Sequence, residues 1–113
     1  ACRYPPDGMR SFGPIRAALY GGRGYAAEAN SEIACIAMIE TREGLDNLEE
    51  IVTTPGLGGI YIGPSDLALA LGLPPAGDTD EPLHVATVER ILGVCKRHGV
   101  PAGIHTSSLD YAR

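Results

Sequence analysis

IACIAMIETREGLDNLEEIVTTPGLGGIYIGPSDL, running from Ile33 to Leu67, decides the fold class of this chain. Its opening run, Ile33 to Ile39, is apolar without strict alternation, as in a strand covered on both faces or closed into a parallel barrel. Leu45, Leu48, Ile51 and Val52 then recur at helical spacing, with Asp46, Glu49 and Glu50 facing out. Pro55-Gly56 closes that helix, and a second apolar run, Gly59 to Ile62, reads as another buried strand. Strand, helix and strand in succession form a parallel β/α unit.

Outward from this stretch the alternation continues. Val85, Val88, Ile91, Leu92 and Cys95 share one helix face, with Pro82 near the start and Asp80 as a candidate N-cap. Gly99 followed by Pro101 stops that helix, and Val100 to Ile104 is a third strand. Leu67 to Leu71 reads as a short helix, and Leu73 to Gly77 as a loop. Towards the N-terminus, Ile15 to Tyr20 and Tyr25 to Asn30 read as short helices separated by Gly21-Gly22. Ser107 and Ser108 suggest an N-cap before Leu109. The expected class is α/β. A complete eight-stranded β/α barrel takes about 250 residues, whereas this chain has 113. Both ends look cut, so the chain is expected to be a piece of something larger or to depend on a partner.

Composition narrows the function. The chain is 44% hydrophobic and 20% charged, ordinary globular values. Its net charge of −5 disfavours a nucleic acid or an anionic membrane as partner. With 5% aromatic residues and no Trp, a base-stacking surface is not expected. No apolar run approaches the roughly 20 residues that span a bilayer, and no signal peptide is visible, so a cytoplasmic location is expected. Cys2, Cys35 and Cys95 lie far apart without metal-ligand spacing; Cys35 and Cys95 read as small buried hydrophobes.

Catalytic groups of parallel β/α folds gather at the C-terminal ends of the strands. Two acids stand there. Glu40 follows the first run directly, and Asp66 follows the second through Gly63-Pro64-Ser65. One strand-helix-strand step separates them, which places both carboxylates on one rim. Two carboxylates suit a hard divalent cation such as Mg²⁺ or Mn²⁺ and leave open positions for a 2-oxo acid. The turn before Leu67 frees backbone N–H groups at a helix start, an anion site suited to a carboxylate. The plainer alternative is that Asp66 caps the helix beginning near Leu67.

Several segments resemble the HpcH/HpaI aldolase family. Met38-Ile39-Glu40-Thr41 with Leu45-Asp46-Asn47-Leu48-Glu49-Glu50-Ile51 is similar to its IET…LDNLDEI segment. Gly59-Ile60-Tyr61-Ile62-Gly63-Pro64-Ser65-Asp66-Leu67 is similar to its GVFIGPADL segment. Arg3-Tyr4-Pro5-Pro6-Asp7-Gly8-Met9-Arg10 with Gly13-Pro14 is similar to its RYPPxGxRGxG loop. The resemblance covers nearly the whole chain in the family's order, and residues 1–113 are identified as a partial aldolase domain.

The resemblance implies a (β/α)8 TIM-barrel fragment covering about strands 5–7 with their helices, in a protein assembled as a homohexamer. It implies a lyase, a class II pyruvate aldolase that cleaves 4-hydroxy-2-oxo acids to pyruvate and an aldehyde, as in aromatic compound catabolism. The first candidate is 4-hydroxy-2-oxoheptanedioate, which gives succinate semialdehyde. It implies Glu40 and Asp66 as ligands of Mg²⁺ or Mn²⁺, with Co²⁺ as a further fit, and the backbone of Ser65 and Asp66 as the pyruvate carboxylate contact. The family's catalytic His and substrate Arg precede the Arg3 segment, so no catalytic residue is expected within the chain and the piece alone is expected to be inactive. Met38 stands where many members have Gln, which leaves the metal surroundings less polar. A 2-keto-3-deoxy sugar-acid aldolase is one alternative; a non-catalytic metal-binding fragment or partner-dependent module is another. Of the other candidates, His105 follows the third strand, where it could face the rim, and reads rather as a loop or core-edge histidine; Arg3 could reach the site or a neighbouring subunit, or make a structural ion pair; His84 and His98 read as solvated groups on an outer helix.

Overall fold

The computed structural model describes residues 1–13 and 15–112, the side chains of Ile15 and Ala18 excepted. Pro14 of the N-terminal motif lies outside the described residues. The chain divides into two compact units, Ala1–Cys35 and Ile36–Arg113.

The first unit is an N-terminal loop and two short helices, α1 (Ile15–Gly21) and α2 (Tyr25–Glu32). The glycine pair breaks the helices as expected, because Gly22 takes a left-handed φ of 67° that residues with a Cβ avoid. Asn30 of α2 organises the loop. Its Oδ1 accepts from Tyr4 N at 2.7 Å, and its Nδ2 donates to Tyr4 O and to Asp7 Oδ2, both at 3.0 Å. The buried Tyr4 ring lies beneath the Arg10 guanidinium, 4.6 Å from its centroid, and Arg10 Nη2 donates to Tyr25 OH at 2.8 Å. Arg3 is exposed, and its backbone carbonyl accepts from Arg10 N at 2.9 Å. The ion pairs recorded among the described residues join Arg97 and His98 to Glu49, so the ion pair expected of Arg3 is not among them.

The second unit carries the β/α alternation. Strand β1 (Cys35–Ile39) leads through helices α3 (Arg42–Asp46) and α4 (Leu48–Val52) to β2 (Leu57–Ile62). Helices α5 (Pro64–Ala70) and α6 (Pro82–His98) then lead to β3 (Ala102–Ile104). The sheet order is β1-β2-β3, and β2 and β3 are parallel in the register Ile60↔Ala102, Tyr61↔Gly103, Ile62↔Ile104. The helix expected over 45–52 is two helices broken at Asn47, whose φ of −100° and ψ of 16° leave helical geometry. Asn47 Nδ2 donates back to Glu43 O at 2.9 Å, an Asn competing with the helix ladder for its own neighbours.

Helices cover one face of the sheet. Ile39, Ile60 and Ile62 pack there with Leu45, Leu48, Val52, Leu67, Ile91, Val94 and Cys95 into a single buried cluster. Between Ala37 and Ile39 the opposite face carries Met38, 53% exposed, and one step earlier Ile36, 54% exposed. An apolar run without polar alternation thus shows alternating exposure along β1, its inward residues packed on the helices of this unit.

Helix α6 ends where Gly99 takes φ 67° and ψ 24°. Gly99 N donates to Lys96 O at 3.3 Å and Val100 N to Cys95 O at 2.9 Å, closing the last carbonyls. Lys96, Arg97 and His98 fill the last turn, where positive charge faces the negative end of the helix. His98 is exposed, as expected of a group on an outer helix, and has a surface partner. Its Nε2 lies 2.8 Å from Glu49 Oε2, and Arg97 pairs with the same carboxylate. The start of α6 differs from expectation. Its N-cap is Glu81, without a side-chain cap bond, and not Asp80. Ser108 opens no helix among the described residues; its Oγ accepts from Tyr111 N at 3.2 Å in a turn. Cys95 is buried as expected, whereas Cys35 is only half-buried. A hydrogen bond with Cys2 pushes the Cys35 thiol pKa up, and desolvation adds to it.

Candidate functional site

The site is built on the strand ends. Glu40 is the first residue beyond β1 and is half-buried. Its neighbour Thr41 caps α3: Thr41 Oγ1 accepts from Gly44 N at 3.0 Å. That bond satisfies one of the open amides of the helix start, so Glu40 is not consumed as a cap.

Gly63 lies beside Glu40. Gly63 N donates to Ile39 O at 3.3 Å, which ties the end of β2 to the end of β1. Gly63 has φ −89° and ψ 94°, a conformation open to any residue, so the glycine answers a need for space. A Cβ at position 63 would collide with the Glu40 carboxylate, and would come within 3.1 Å of Glu40 Cβ and 3.3 Å of Cδ. The Glu40 side chain lies across the hollow that the glycine leaves.

From Gly63 the chain turns directly into α5, which begins at Pro64 and not near Leu67. Proline suits a first helical position because its missing N–H costs nothing there. Leu67 N donates to Gly63 O at 2.9 Å. Ser65 and Asp66 precede that first bond, so their N–H groups have no intrahelical acceptor. Asp66 is exposed in the first turn, and the N-cap is Gly63 without a side-chain cap bond. The capping role weighed for Asp66 is therefore not the one it plays, and its carboxylate is free for other work.

His105 joins the same rim. Its N donates to Ile62 O at 3.4 Å, one step beyond the Ile62↔Ile104 pair, and its side chain is exposed, as a loop histidine should be. Beyond it, Ser107 N donates to Asp78 Oδ1 at 2.7 Å. That backbone bond leads the causes that hold the Asp78 carboxyl below its ordinary pKa, with His105 a minor one.

The structure thus brings Glu40 against the turn that carries Ser65 and Asp66. The donor set is two carboxylates and no sulfur or imidazole, oxygen chemistry that fits a hard divalent cation. Among the described residues no group of three or more His, Cys, Asp or Glu lies close enough together to hold a metal ion. The hollow at Gly63, which a Cβ would fill, is the observation that favours this fit.

His84, expected to be solvated, is instead completely buried. The α6 stripe that faces inward is His84, Thr87, Ile91, Val94 and Cys95, rotated from the expected one; Leu92, placed inside by sequence, is 42% exposed. The signal was present. His84 stands four residues before Val88 and seven before Ile91, the helical spacing of that stripe.

A parallel β/α unit carries two acids and open amides at its strand ends, the rim where folds of the β/α class place their sites. The chain belongs to the HpcH/HpaI aldolase/citrate lyase family, whose model matches residues 1–109. It is 43% identical over 113 residues to the hydroxypyruvate/pyruvate aldolase of Rhizorhabdus wittichii, covering 100% of this chain and 45% of that protein. It is 40% identical over 104 residues to the 5-keto-4-deoxy-D-glucarate aldolase of Citrobacter koseri, covering 90% of this chain and 40% of that one. The crystal structure of an HpcH/HpaI aldolase/citrate lyase family protein from Burkholderia cenocepacia superposes with a TM-score of 0.77 at 38% identity, over 91% of this chain and 42% of that one. The chain spans less than half the length of the curated relatives it matches. Among the described residues no helix is long and apolar enough to cross a membrane.

Proposed function

We propose that this chain supplies the metal- and carboxylate-binding part of a divalent-metal-dependent pyruvate aldolase, and that its strands are about the fifth to seventh of a TIM barrel. The observation that carries the reading is the Glu40 side chain lying in the hollow at Gly63, beside the turn bearing Ser65 and Asp66. Glu40 and Asp66 would hold Mg²⁺ or Mn²⁺. When bound, such a cation supplies Lewis acidity toward a keto oxygen.

The chain's own groups do the rest of the positioning. The Ser65 and Asp66 amides receive the carboxylate of the 2-oxo acid, and Gly63 lets the backbone approach closely. The substrate class is a 4-hydroxy-2-oxo acid. Its C4 hydroxyl loses a proton, the C3–C4 bond breaks, and the electron pair passes toward the keto oxygen. Protonation at C3 completes pyruvate, and the former C4 leaves as an aldehyde. The proton-transferring group is proposed to come from outside these 113 residues, in a hexameric, cytoplasmic assembly. The first candidate substrate is 4-hydroxy-2-oxoheptanedioate, giving succinate semialdehyde. The relative named 5-keto-4-deoxy-D-glucarate aldolase favours a sugar-acid aldol as the second reading; it shares the pyruvate half and differs in the aldehyde.

Glu40→Ala in the protein that carries this chain tests the proposal. Metal-dependent pyruvate release should fall by about a hundredfold or more, the scale of a lost electrostatic group. Unchanged release would sink the reading.

A further inference from the structure

Helix α6 buries a polar side chain at a stripe position suited to a hydrophobe. His84 is fully buried in line with Thr87, Ile91, Val94 and Cys95. An aliphatic residue there would gain burial without desolvating an imidazole. His84 keeps one bond: Nε2 lies 3.1 Å from the carbonyl oxygen of Pro64. A carbonyl only accepts, so Nε2 is the donor in this bond. Nδ1 is buried without a partner among the described residues. A buried imidazole kept at that cost points to the one bond it makes.

That bond reaches a particular peptide group. Pro64 O and Ser65 N–H belong to one planar trans unit and point in opposite directions. Fixing the oxygen from behind therefore fixes the N–H in front. Donation to the carbonyl also polarises the group and strengthens the N–H as a donor. We propose that His84 is a positioning residue for the substrate carboxylate: it locks the Pro64–Ser65 peptide so that Ser65 N–H is already aimed when a 2-oxo acid arrives. This inference rests on the function proposed above, in which Ser65 N–H receives that carboxylate.

The test uses the protein carrying this chain, with His84→Leu and His84→Gln. Leucine removes the donor and keeps a similar bulk, whereas the glutamine amide nitrogen restores a donor at similar reach. Ser65 amide exchange is followed by NMR without ligand, Mn²⁺ affinity by electron paramagnetic resonance, and pyruvate affinity by calorimetry at saturating Mn²⁺. For His84→Leu, Mn²⁺ affinity should stay within about twofold, pyruvate should bind about five- to tenfold more weakly, and Ser65 exchange should accelerate by a similar factor, the scale of one lost hydrogen bond. His84→Gln should return both altered readouts to within about twofold of the parent. A merely structural histidine would lower the unfolding temperature without that selective loss and rescue. Should His84→Leu fail to unfold cooperatively, His84→Met, unbranched and also lacking a donor, replaces it. Parent-like pyruvate affinity and Ser65 exchange in the donor-less variant, in a protein that binds both ligands, overturn the positioning role alone. A parent protein that binds neither Mn²⁺ nor pyruvate overturns the proposed function and this inference with it.

Discussion

Gly63→Ala separates a conformational requirement from a spatial one. At φ −89° and ψ 94° an alanine fits the backbone without strain, and the loss of glycine freedom in the unfolded chain favours folding by about 0.4–1 kcal/mol. Against this, the new Cβ collides with the Glu40 carboxylate and presses on Glu40 Cβ and Cδ at 3.1 and 3.3 Å. Overpacking of this kind costs about 1–3 kcal/mol when the neighbour is locked. Glu40 is half-buried, and turning its carboxylate aside costs about 0.5–1.5 kcal/mol, while the 3.1 Å contact with Glu40 Cβ is relieved only by a small backbone shift. The entropic gain and the rotamer cost nearly cancel, and the unfolding free energy should change by less than about 1 kcal/mol. Metal binding should not cancel, because the displaced carboxylate is one of the two proposed ligands. Mn²⁺ affinity should fall about tenfold, which corresponds to about 1.4 kcal/mol. Calorimetric titration with Mn²⁺ and denaturant unfolding of the same samples measure both. Parent-like Mn²⁺ affinity in a folded Gly63→Ala protein would refute the argument that this glycine makes room for a ligand.

Other outcomes follow from the packing. His98 leads the groups that hold the Glu49 carboxyl below its ordinary value of 4.5, with Arg97 next. A carboxyl depressed in the folded state stabilises above its unfolded pKa and loses that contribution as pH falls through the lowered folded value. Thermal melts of Glu49→Gln against the parent should therefore converge as the pH drops below 4.5. Ile91→Ala removes a fully buried side chain from the centre of the core and should cost about 2–5 kcal/mol in denaturant unfolding. Thr41→Ala deletes the α3 cap bond from Gly44 N and should cost about 0.5–2 kcal/mol, read from the same transitions.

Elements whose signals are local were legible in the sequence. The strands ending at Ile39, Ile62 and Ile104 and the long helix ended by Gly99 all follow from short-range pattern, and only their boundaries move by a residue or two. The places of Glu40 and Gly63 at the strand ends are legible because strand ends and a Gly-Pro pair mark themselves, whereas the turn expected over Gly63–Asp66 is the start of α5. Missed features depend on what lies across the fold. The break at Asn47 is a side chain bonding to Glu43 O against a helical pattern that otherwise continues. His84 was read as solvated because a histidine among exposed neighbours looks polar; only the Pro64 carbonyl opposite makes it a tolerable core residue. Thr41 was not singled out as a cap, although a threonine just before a short helix is a strong local signal.

Because Thr41 spends its hydroxyl on Gly44 N, the order of the Glu40-Thr41 pair carries information that its composition does not. Exchange the two residues and the composition and net charge are unchanged, yet both roles are lost. Glutamate is not among the short side chains that cap a helix start, and the Glu81 that stands at the N-cap of α6 makes no side-chain cap bond. The rim beside Gly63 would hold a short neutral hydroxyl, presenting one anionic arm fewer to a cation.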